Sequence, residues 1–133
     1  MSQEGGLRRN PALVERALNG HATTQNALAE LIRTRGFTPT SPSGTVDYDL
    51  AWKDPSGLCV AEVKSLTDLN EVAQMRVGLG QLLDYASALD HLGERVHRLI
   101  LAVEREPTAS AHWQRVCGRA GIMLCWGPDF VGL

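Results

Sequence analysis

Residues 46–64, VDYDLAWKDPSGLCVAEVK, decide the fold of this chain. At their centre, residues 54–57 (DPSG) suit a tight turn, because proline presets one backbone angle and glycine accepts the angles that close the turn. The segments on either side are rich in residues that favour strands. The pattern therefore predicts a β-hairpin in which Lys53 faces Leu58.

Four charged side chains fall on one face of this hairpin. In the predicted register Asp49 faces Glu62 and Asp47 faces Lys64, and strand alternation places all four on the same side. Two carboxylates directly opposite each other destabilise a sheet, and burying them without partners costs more. A divalent cation between Asp49 and Glu62 would make the interaction favourable, and Mg²⁺ prefers such oxygen ligands. An exposed hairpin with a solvated polar face is the alternative.

The hairpin resembles the signature of the PD-(D/E)XK nuclease superfamily, in which an Asp opens one strand and Glu-x-Lys lies on the next. Residues 49–52 (DLAW) and 61–65 (AEVKS) carry the resemblance. Asp49 matches the family Asp because an apolar run follows it, and Asp47 is the weaker candidate. Tyr48 stands where many members have proline.

A second motif lies on a predicted helix from about residue 71 to 92. Gln81 and Tyr85 are four residues apart and share one helical face. Gln-x-x-x-Tyr after the Glu-x-Lys strand is similar to the additional motif of RecB-like nucleases, and a polar face with an interfacial tyrosine is the alternative. Gly78 and Gly80 each cost about 1 kcal/mol in a helix interior, so we expect another backbone or a ligand to approach them.

The sequence pattern of residues 10–35 predicts helical structure. Asn10-Pro11 is typical of a helix start, and Asn19-Gly20 predicts a break before a second helical run over about 22–35. In RecB-like members a helix-borne histidine near this point contributes to the metal site, which implies a metal ligand at His21; a capping or surface histidine is the alternative. Glu30 is a rival, since other members use a Glu on the first helix. It lies half a turn out of phase with His21, so at most one of them faces the site.

The last third of the chain predicts a strand over 96–104, a helix over 109–120 and a short strand over 122–126. The helix before the first of these strands allows it to pair in parallel with the hairpin. Together with the resemblance, this order predicts one compact α/β domain spanning residues 1–133, with residues 1–9 frayed. Its central mixed β-sheet is flanked by helices, as in the restriction-endonuclease-like core.

Composition limits the function classes. The net charge is −2, from 13 basic and 15 acidic residues, which is not the footprint of a strong nucleic-acid binder. Cys59, Cys117 and Cys125 form no CxxC pair, which predicts reduced thiols and too few ligands for the iron–sulfur cluster of some superfamily relatives. No signal peptide or membrane span is visible, so we expect a cytoplasmic protein that does not bind a membrane.

The resemblance implies metal-dependent cleavage of DNA phosphodiesters, in repair, restriction or phage defence. Asp49, Glu62 and the main-chain carbonyl of Val63 would hold one or two Mg²⁺ ions, for which Mn²⁺ can substitute. His21 would add a ligand.

The catalytic residues implied by the resemblance are Asp49, Glu62, Lys64, Gln81 and Tyr85. Lys64 would orient the attacking water and stabilise the transition state. Gln81 and Tyr85 would position that water or the DNA backbone. DNA is the expected partner, with pairing into a homodimer or a larger protein complex. The alternative function is a non-catalytic module that keeps the scaffold and binds a protein or nucleic acid.

Overall fold

The computed structural model describes residues 11–42 and 44–133, so the predicted frayed segment 1–9 and the predicted capping Asn10 lie outside the described residues. The helices of the described part are α1 (Pro11–Thr34), α2 (Glu71–His91) and α3 (Ser110–Arg119). Its strands are β1 (Leu50–Asp54), β2 (Gly57–Lys64), β3 (Val96–Val103) and β4 (Ile122–Trp126). They form one sheet in the order β1-β2-β3-β4, antiparallel between β1 and β2 and parallel elsewhere. The predicted mixed α/β architecture is confirmed.

The hairpin has the predicted register, with Lys53 paired to Leu58. Asp54 closes the turn, because its Oδ1 accepts hydrogen bonds from the backbone N–H groups of Ser56 at 2.8 Å and Gly57 at 3.0 Å. Gly57 has a φ of 143°, a conformation that a side chain rarely adopts. The turn residues therefore set which strand residues face each other.

The hairpin ladder is shorter than predicted. It begins at Leu50, paired with Ala61, so Asp49 lies just outside it and exposed Asp47 does not pair across the strands. The reason is local: the backbone N–H of Val63 donates to Oδ2 of Asp49 at 2.8 Å instead of to a main-chain carbonyl. The aspartate side chain thus ends the ladder and is fixed against β2.

The core lies on both faces of the sheet. Val60 on β2 belongs to a buried cluster with Leu82 of α2 and Trp113 of α3, whereas its neighbour Ala61 belongs to a second cluster with Leu28 of α1 on the other face. Burying each large apolar side chain contributes about 1.5–3 kcal/mol. Because strand side chains alternate, Glu62 lies on the same side as Val60, facing α2.

Helix α1 is continuous, so the predicted break at Asn19-Gly20 is wrong. A Cβ on Gly20 would come within 3.1 Å of the Glu104 carboxylate and 2.7 Å of Nη1 of Arg16. Thr24 also donates its hydroxyl to the Gly20 carbonyl at 2.7 Å. Glycine is present here because a side chain approaches the helix closely, and tertiary packing outweighs its cost of about 1 kcal/mol.

Helix α2 follows Asn70 and ends before Gly93, near the predicted limits. The Asn70 side chain does not cap the helix but accepts a hydrogen bond from the N–H of Thr67 at 2.7 Å. Four of the apolar side chains of α2 are buried, namely Met75, Leu79, Leu82 and Leu89. Val72 is 49% exposed because it lines an open groove between α2 and α3.

Strand β3, at the position of the predicted strand 96–104, lies between β2 and β4. The three cysteines are buried and unpaired. Within the described ranges, no helix has the length and apolar character needed to cross a membrane.

Candidate active site

The structure brings the carboxylates of Asp49 and Glu62 together with the ammonium of Lys64. Glu62 is only 3% exposed, and its Oε2 lies 3.2 Å from Nζ of Lys64. Glu62 and Lys64 are two residues apart on β2 and therefore share the face that α2 covers. The hairpin register alone predicts this grouping.

Helix α1 holds Asp49 from the other side. Nε2 of His21 lies 3.2 Å from Oδ2 of Asp49, the same oxygen that accepts from Val63. Nε2 of Gln25 donates to the main-chain carbonyl of Asp49 at 3.2 Å. His21 and Gln25 are four residues apart and so lie on one helical face. Sequence reasoning missed Gln25, although its spacing from His21 was a usable signal.

Glu30 lies away from the site. Its carboxylate is 3.4 Å from Nη1 of Arg33, and its side chain is 69% exposed. Of the two residues weighed on α1, His21 is therefore the one that contacts Asp49.

The two carboxylates have opposite pKa shifts. Burial and the neighbouring charge of Asp49 raise the pKa of Glu62 to about 7, although Lys64 opposes the change. Burial also acts to raise the pKa of Asp49, but hydrogen bonds from His21 and the Val63 N–H outweigh it and lower the pKa. The bond to Asp49 raises the pKa of His21. Near neutral pH the site thus holds one firmly ionised carboxylate and one that is partly protonated.

Tyr85 of α2 lies near these carboxylates, and Gln81 is one turn earlier on the same face of the helix. Tyr85 is 8% exposed, and burial together with the charges of Glu62 and Asp49 raises its pKa to about 12. Oε1 of Gln81 is buried and has no hydrogen-bond partner in the described structure. Such an atom costs free energy unless something outside the chain satisfies it.

Gly78 allows α2 to approach the sheet at this point. A Cβ there would meet Cδ1 of Leu101 at 2.7 Å and Cγ of Lys64 at 3.4 Å. The approaching groups are side chains rather than the backbone or ligand that we expected. A Cβ on Gly80 would meet nothing within 4 Å, so no other backbone approaches Gly80 among the described residues.

The same face of α2 is anchored one turn earlier. Nε2 of Gln74 donates to the carbonyl of Ser65, the residue after the Glu-x-Lys segment, at 3.1 Å. The polar face of α2 therefore lies along the carboxyl end of β2, with Gln81 between the positions that contact Lys64 and Glu62.

The carbonyl of Val63 points toward the site. The next carbonyl, that of Lys64, accepts from the N–H of Glu104 at 3.2 Å and so faces β3. Successive residues of a strand direct their polar backbone groups to opposite sides, so those of Val63 face β1. Since its N–H contacts Asp49, its carbonyl lies beside the end of the ladder.

The donor set fits a magnesium-like ion only in part. In residues 11–42 and 44–133, no three His, Cys, Asp or Glu side chains converge closely enough to hold a metal ion. Magnesium, however, binds through one or two carboxylates, keeping waters and substrate phosphates as its other ligands. Oε1 of Glu62 is buried without a hydrogen-bond partner, so the site has an acceptor that a cation or its water would satisfy. Asp49, Glu62 and the Val63 carbonyl meet that requirement.

Glu104 and Arg16 form a support that sequence reasoning missed. Oε1 of Glu104 accepts hydrogen bonds from Nη1 of Arg16 at 2.9 Å and from the N–H of Leu66 at 2.6 Å. The pair fixes the chain just after Lys64. Glu104 ended the predicted central strand, but nothing in the sequence linked it to Arg16, 88 residues earlier.

Comparisons with known proteins bear on the fold. No protein-family model matches the sequence, and no curated protein matches it significantly. The crystal structure of an XisH family protein from Nostoc punctiforme PCC 73102 is similar, with a TM-score of 0.59 and 18% sequence identity. The likeness covers 78% of this chain and 89% of that one. XisH proteins have the restriction-endonuclease-like fold, and this chain therefore has a restriction-endonuclease-like fold.

Proposed function

We propose that this protein is a metal-dependent deoxyribonuclease of the PD-(D/E)XK type. The observation that carries the proposal is the buried carboxylate of Glu62, which has an unpartnered Oε1, a lysine on Oε2 and Asp49 close by. A purely structural role does not account for this group, because a buried glutamate beside another carboxylate destabilises the fold.

The acidic residues supply the metal site. Asp49 and Glu62, with the Val63 carbonyl, would hold Mg²⁺ or Mn²⁺, which lowers the pKa of a bound water and neutralises charge on the scissile phosphate. Hydrogen bonds from His21 and the Val63 N–H keep Asp49 ionised and oriented. The position of His21 favours support of Asp49 over direct metal ligation, because its Nε2 already contacts that carboxylate.

Lys64 supplies the positive charge that the reaction requires. Its ammonium lies beside Glu62, where it can orient the attacking water and stabilise negative charge on the phosphoryl oxygens. Gln81 offers an unpartnered acceptor for a proton of that water, and the Tyr85 hydroxyl, held near the carboxylates, would position the DNA backbone. The order Asp, Glu-x-Lys, Gln-x-x-x-Tyr and the upstream His21 support the RecB-like branch.

The test is cleavage of a panel of linear, circular, single-stranded and branched DNA with Mg²⁺ or Mn²⁺. Wild type and Glu30→Gln should cleave, whereas Glu62→Gln and Lys64→Ala should lose at least about 100-fold in rate, the scale of losing one transition-state contact. Glu30→Gln is the matched control, because it neutralises an exposed carboxylate outside the site. Absence of cleavage on every DNA with both metals would contradict the proposal, as would full activity in Lys64→Ala.

A non-catalytic binding module is the second candidate. The observation in its favour is that fewer than three metal-binding side chains converge in the described part of the chain. A binding module of this kind would bind DNA or a protein whether or not a metal ion is present. Metal titration with and without DNA separates the two candidates, since only the nuclease requires a bound cation.

The net charge of the chain bears on how the protein would bind DNA in the cell. The net charge of −2 is not the footprint of a strong nucleic-acid binder. We infer that it works in cytoplasmic DNA repair, restriction or phage defence, with a second copy or a larger complex adding the surface that binds DNA.

A further inference from the structure

A pocket of about 480 Å³ opens along the outer edge of β1, where the backbone of Ala51 pairs with that of Thr40. Its lining includes the aromatic residues Phe37, Tyr48 and Trp52, of which Trp52 is almost fully buried, and the charged residues Lys53 and Glu94. The volume falls in the range of roughly 300–1,000 Å³ that is usual for sites that enclose small ligands. None of these residues belongs to the candidate active site.

The pocket has a lining residue next to that site in the chain. Tyr48 directly precedes Asp49, and Lys53 lies four residues further along the chain, about 13 Å away at the rise of a β-strand. The lining therefore includes the neighbour of Asp49 in the chain and residues further along the edge strand.

Lys53 gives the pocket an available positive charge. The chain has two lysines, and Lys64 contacts Glu62 in the active site. Lys53 is exposed, and its ammonium has no hydrogen-bond or ion-pair partner among the described residues. Glu94 is also exposed at the pocket and adds an acceptor.

We propose that this pocket binds an unpaired nucleotide of the DNA strand that enters the active site, so that single-stranded or frayed DNA is the preferred substrate. This inference rests on the proposed nuclease function. Aromatic side chains stack on any base whose face is free, and a base inside a duplex does not offer its face. Lys53 would contact the adjoining phosphate, and Glu94 would accept from an exocyclic amino group.

The first experiment measures binding separately from cleavage. Fluorescence anisotropy compares a labelled single-stranded oligonucleotide with the blunt duplex of the same sequence, with Ca²⁺ in place of Mg²⁺. The variants are Phe37→Leu, which keeps an apolar side chain but removes the stacking surface, and Lys53→Ala. Arg115→Ala is the control, because it removes one exposed positive charge on α3, away from the pocket.

We expect wild type to bind the single strand more tightly than the duplex. Phe37→Leu should weaken single-strand binding by about fivefold or more, the lower end of the range for one stacked base. Lys53→Ala should reduce the slope of log K against log salt by about 0.7, the value for one phosphate contact on a single strand. Arg115→Ala should change neither quantity. Because Lys53 is exposed, its variant tests the pocket even if Phe37→Leu folds poorly.

A thermodynamic cycle tests the contact itself. Single abasic sites are placed in turn along the oligonucleotide and combined with Phe37→Leu. At one position, the loss of binding free energy from the abasic site and the loss from Phe37→Leu should not add, because both changes remove the same contact. Additive losses at every position would overturn the proposal.

These measurements distinguish an error in the proposed role of the pocket from an error in the proposed nuclease function. In one outcome the protein cleaves DNA yet binds single strands and duplex equally, with no effect of Phe37→Leu or Lys53→Ala on binding. That result overturns the proposal for the pocket and leaves the proposed nuclease function standing. Pocket-dependent binding of single strands without cleavage of any DNA supports the pocket and overturns the nuclease. Absence of both overturns both.

Discussion

Nε2 of His21 lies 3.2 Å from Oδ2 of Asp49, and this contact ties helix α1 to the hairpin across 28 residues of sequence. Together with the hydrogen bond from the Val63 N–H, it lowers the pKa of Asp49 and keeps that carboxylate ionised, whereas burial and the charge of Asp49 raise the pKa of Glu62 to about 7. The two carboxylates of the site therefore differ in protonation before any cation binds.

His21→Ala should weaken Mn²⁺ binding by about 10- to 100-fold, the usual effect of removing a group that orients a metal ligand. Titration calorimetry gives the dissociation constant directly. His91→Ala is the matched control, since His91 is exposed at the end of α2. Equal affinity in wild type and His21→Ala would show that the contact with Asp49 does not serve metal binding.

Mn²⁺ should stabilise the folded protein. A ligand present at about 100 times its dissociation constant adds about 2.7 kcal/mol to the free energy of unfolding. For a domain of this length we expect the melting temperature to rise by about 5 to 10 °C. Asp49→Asn should abolish the rise, and Asp47→Asn, which neutralises an exposed neighbour, should keep it. Equal rises in the two variants would place the cation elsewhere.

Glu62 should make the metal-free protein less stable as pH rises. Its pKa is raised in the folded state to about 7 from an ordinary value of 4.5, so its contribution is fully present below about pH 4.5 and is lost as pH passes 7. Glu62→Gln removes this titration. Relative to the variant, wild type should lose about 2 to 3 kcal/mol of unfolding free energy between pH 5 and pH 8.

Urea denaturation of both proteins in chelator at each pH checks this prediction. Titration of His21 also lowers the stability of both proteins, and the Glu62 charge is only a lesser cause of the raised His21 pKa, after Asp49 and burial. The difference between the two profiles therefore reports chiefly on Glu62. A difference that stays constant with pH would contradict the assigned shift.

Gly78→Ala and Gly80→Ala should have opposite effects, although the two positions share one helix. The new methyl group at Gly78 would overlap Cδ1 of Leu101 and press on Lys64, so we expect a loss of about 1–3 kcal/mol in unfolding free energy. At Gly80 the methyl group meets nothing within 4 Å, and alanine should add about 0.5–1 kcal/mol through helix propensity. Denaturant unfolding measures both. Equal changes in the two variants would mean that α2 does not pack closely against Leu101 at Gly78.

Local patterns predicted much of the framework because they depend on neighbouring residues. The turn at 54–57 fixed the pairing of Lys53 with Leu58, and the period of two then placed Glu62 and Lys64 on one face. The long apolar run of β3 and Gly93 after α2 were similarly readable, since both reflect burial or backbone geometry within a few residues.

The sequence by itself determined the hairpin, its register and the face that Glu62 and Lys64 share, since turn geometry and strand alternation act within about 20 residues. Only the tertiary structure decided that His21 and not Glu30 contacts Asp49, because that depends on how α1 is rotated against the sheet. It also decided that Gly20 continues the helix, since the Arg16–Glu104 pair that crosses there joins distant segments. Contacts of this kind depend on how packed elements meet, and no pattern of neighbouring residues encodes them.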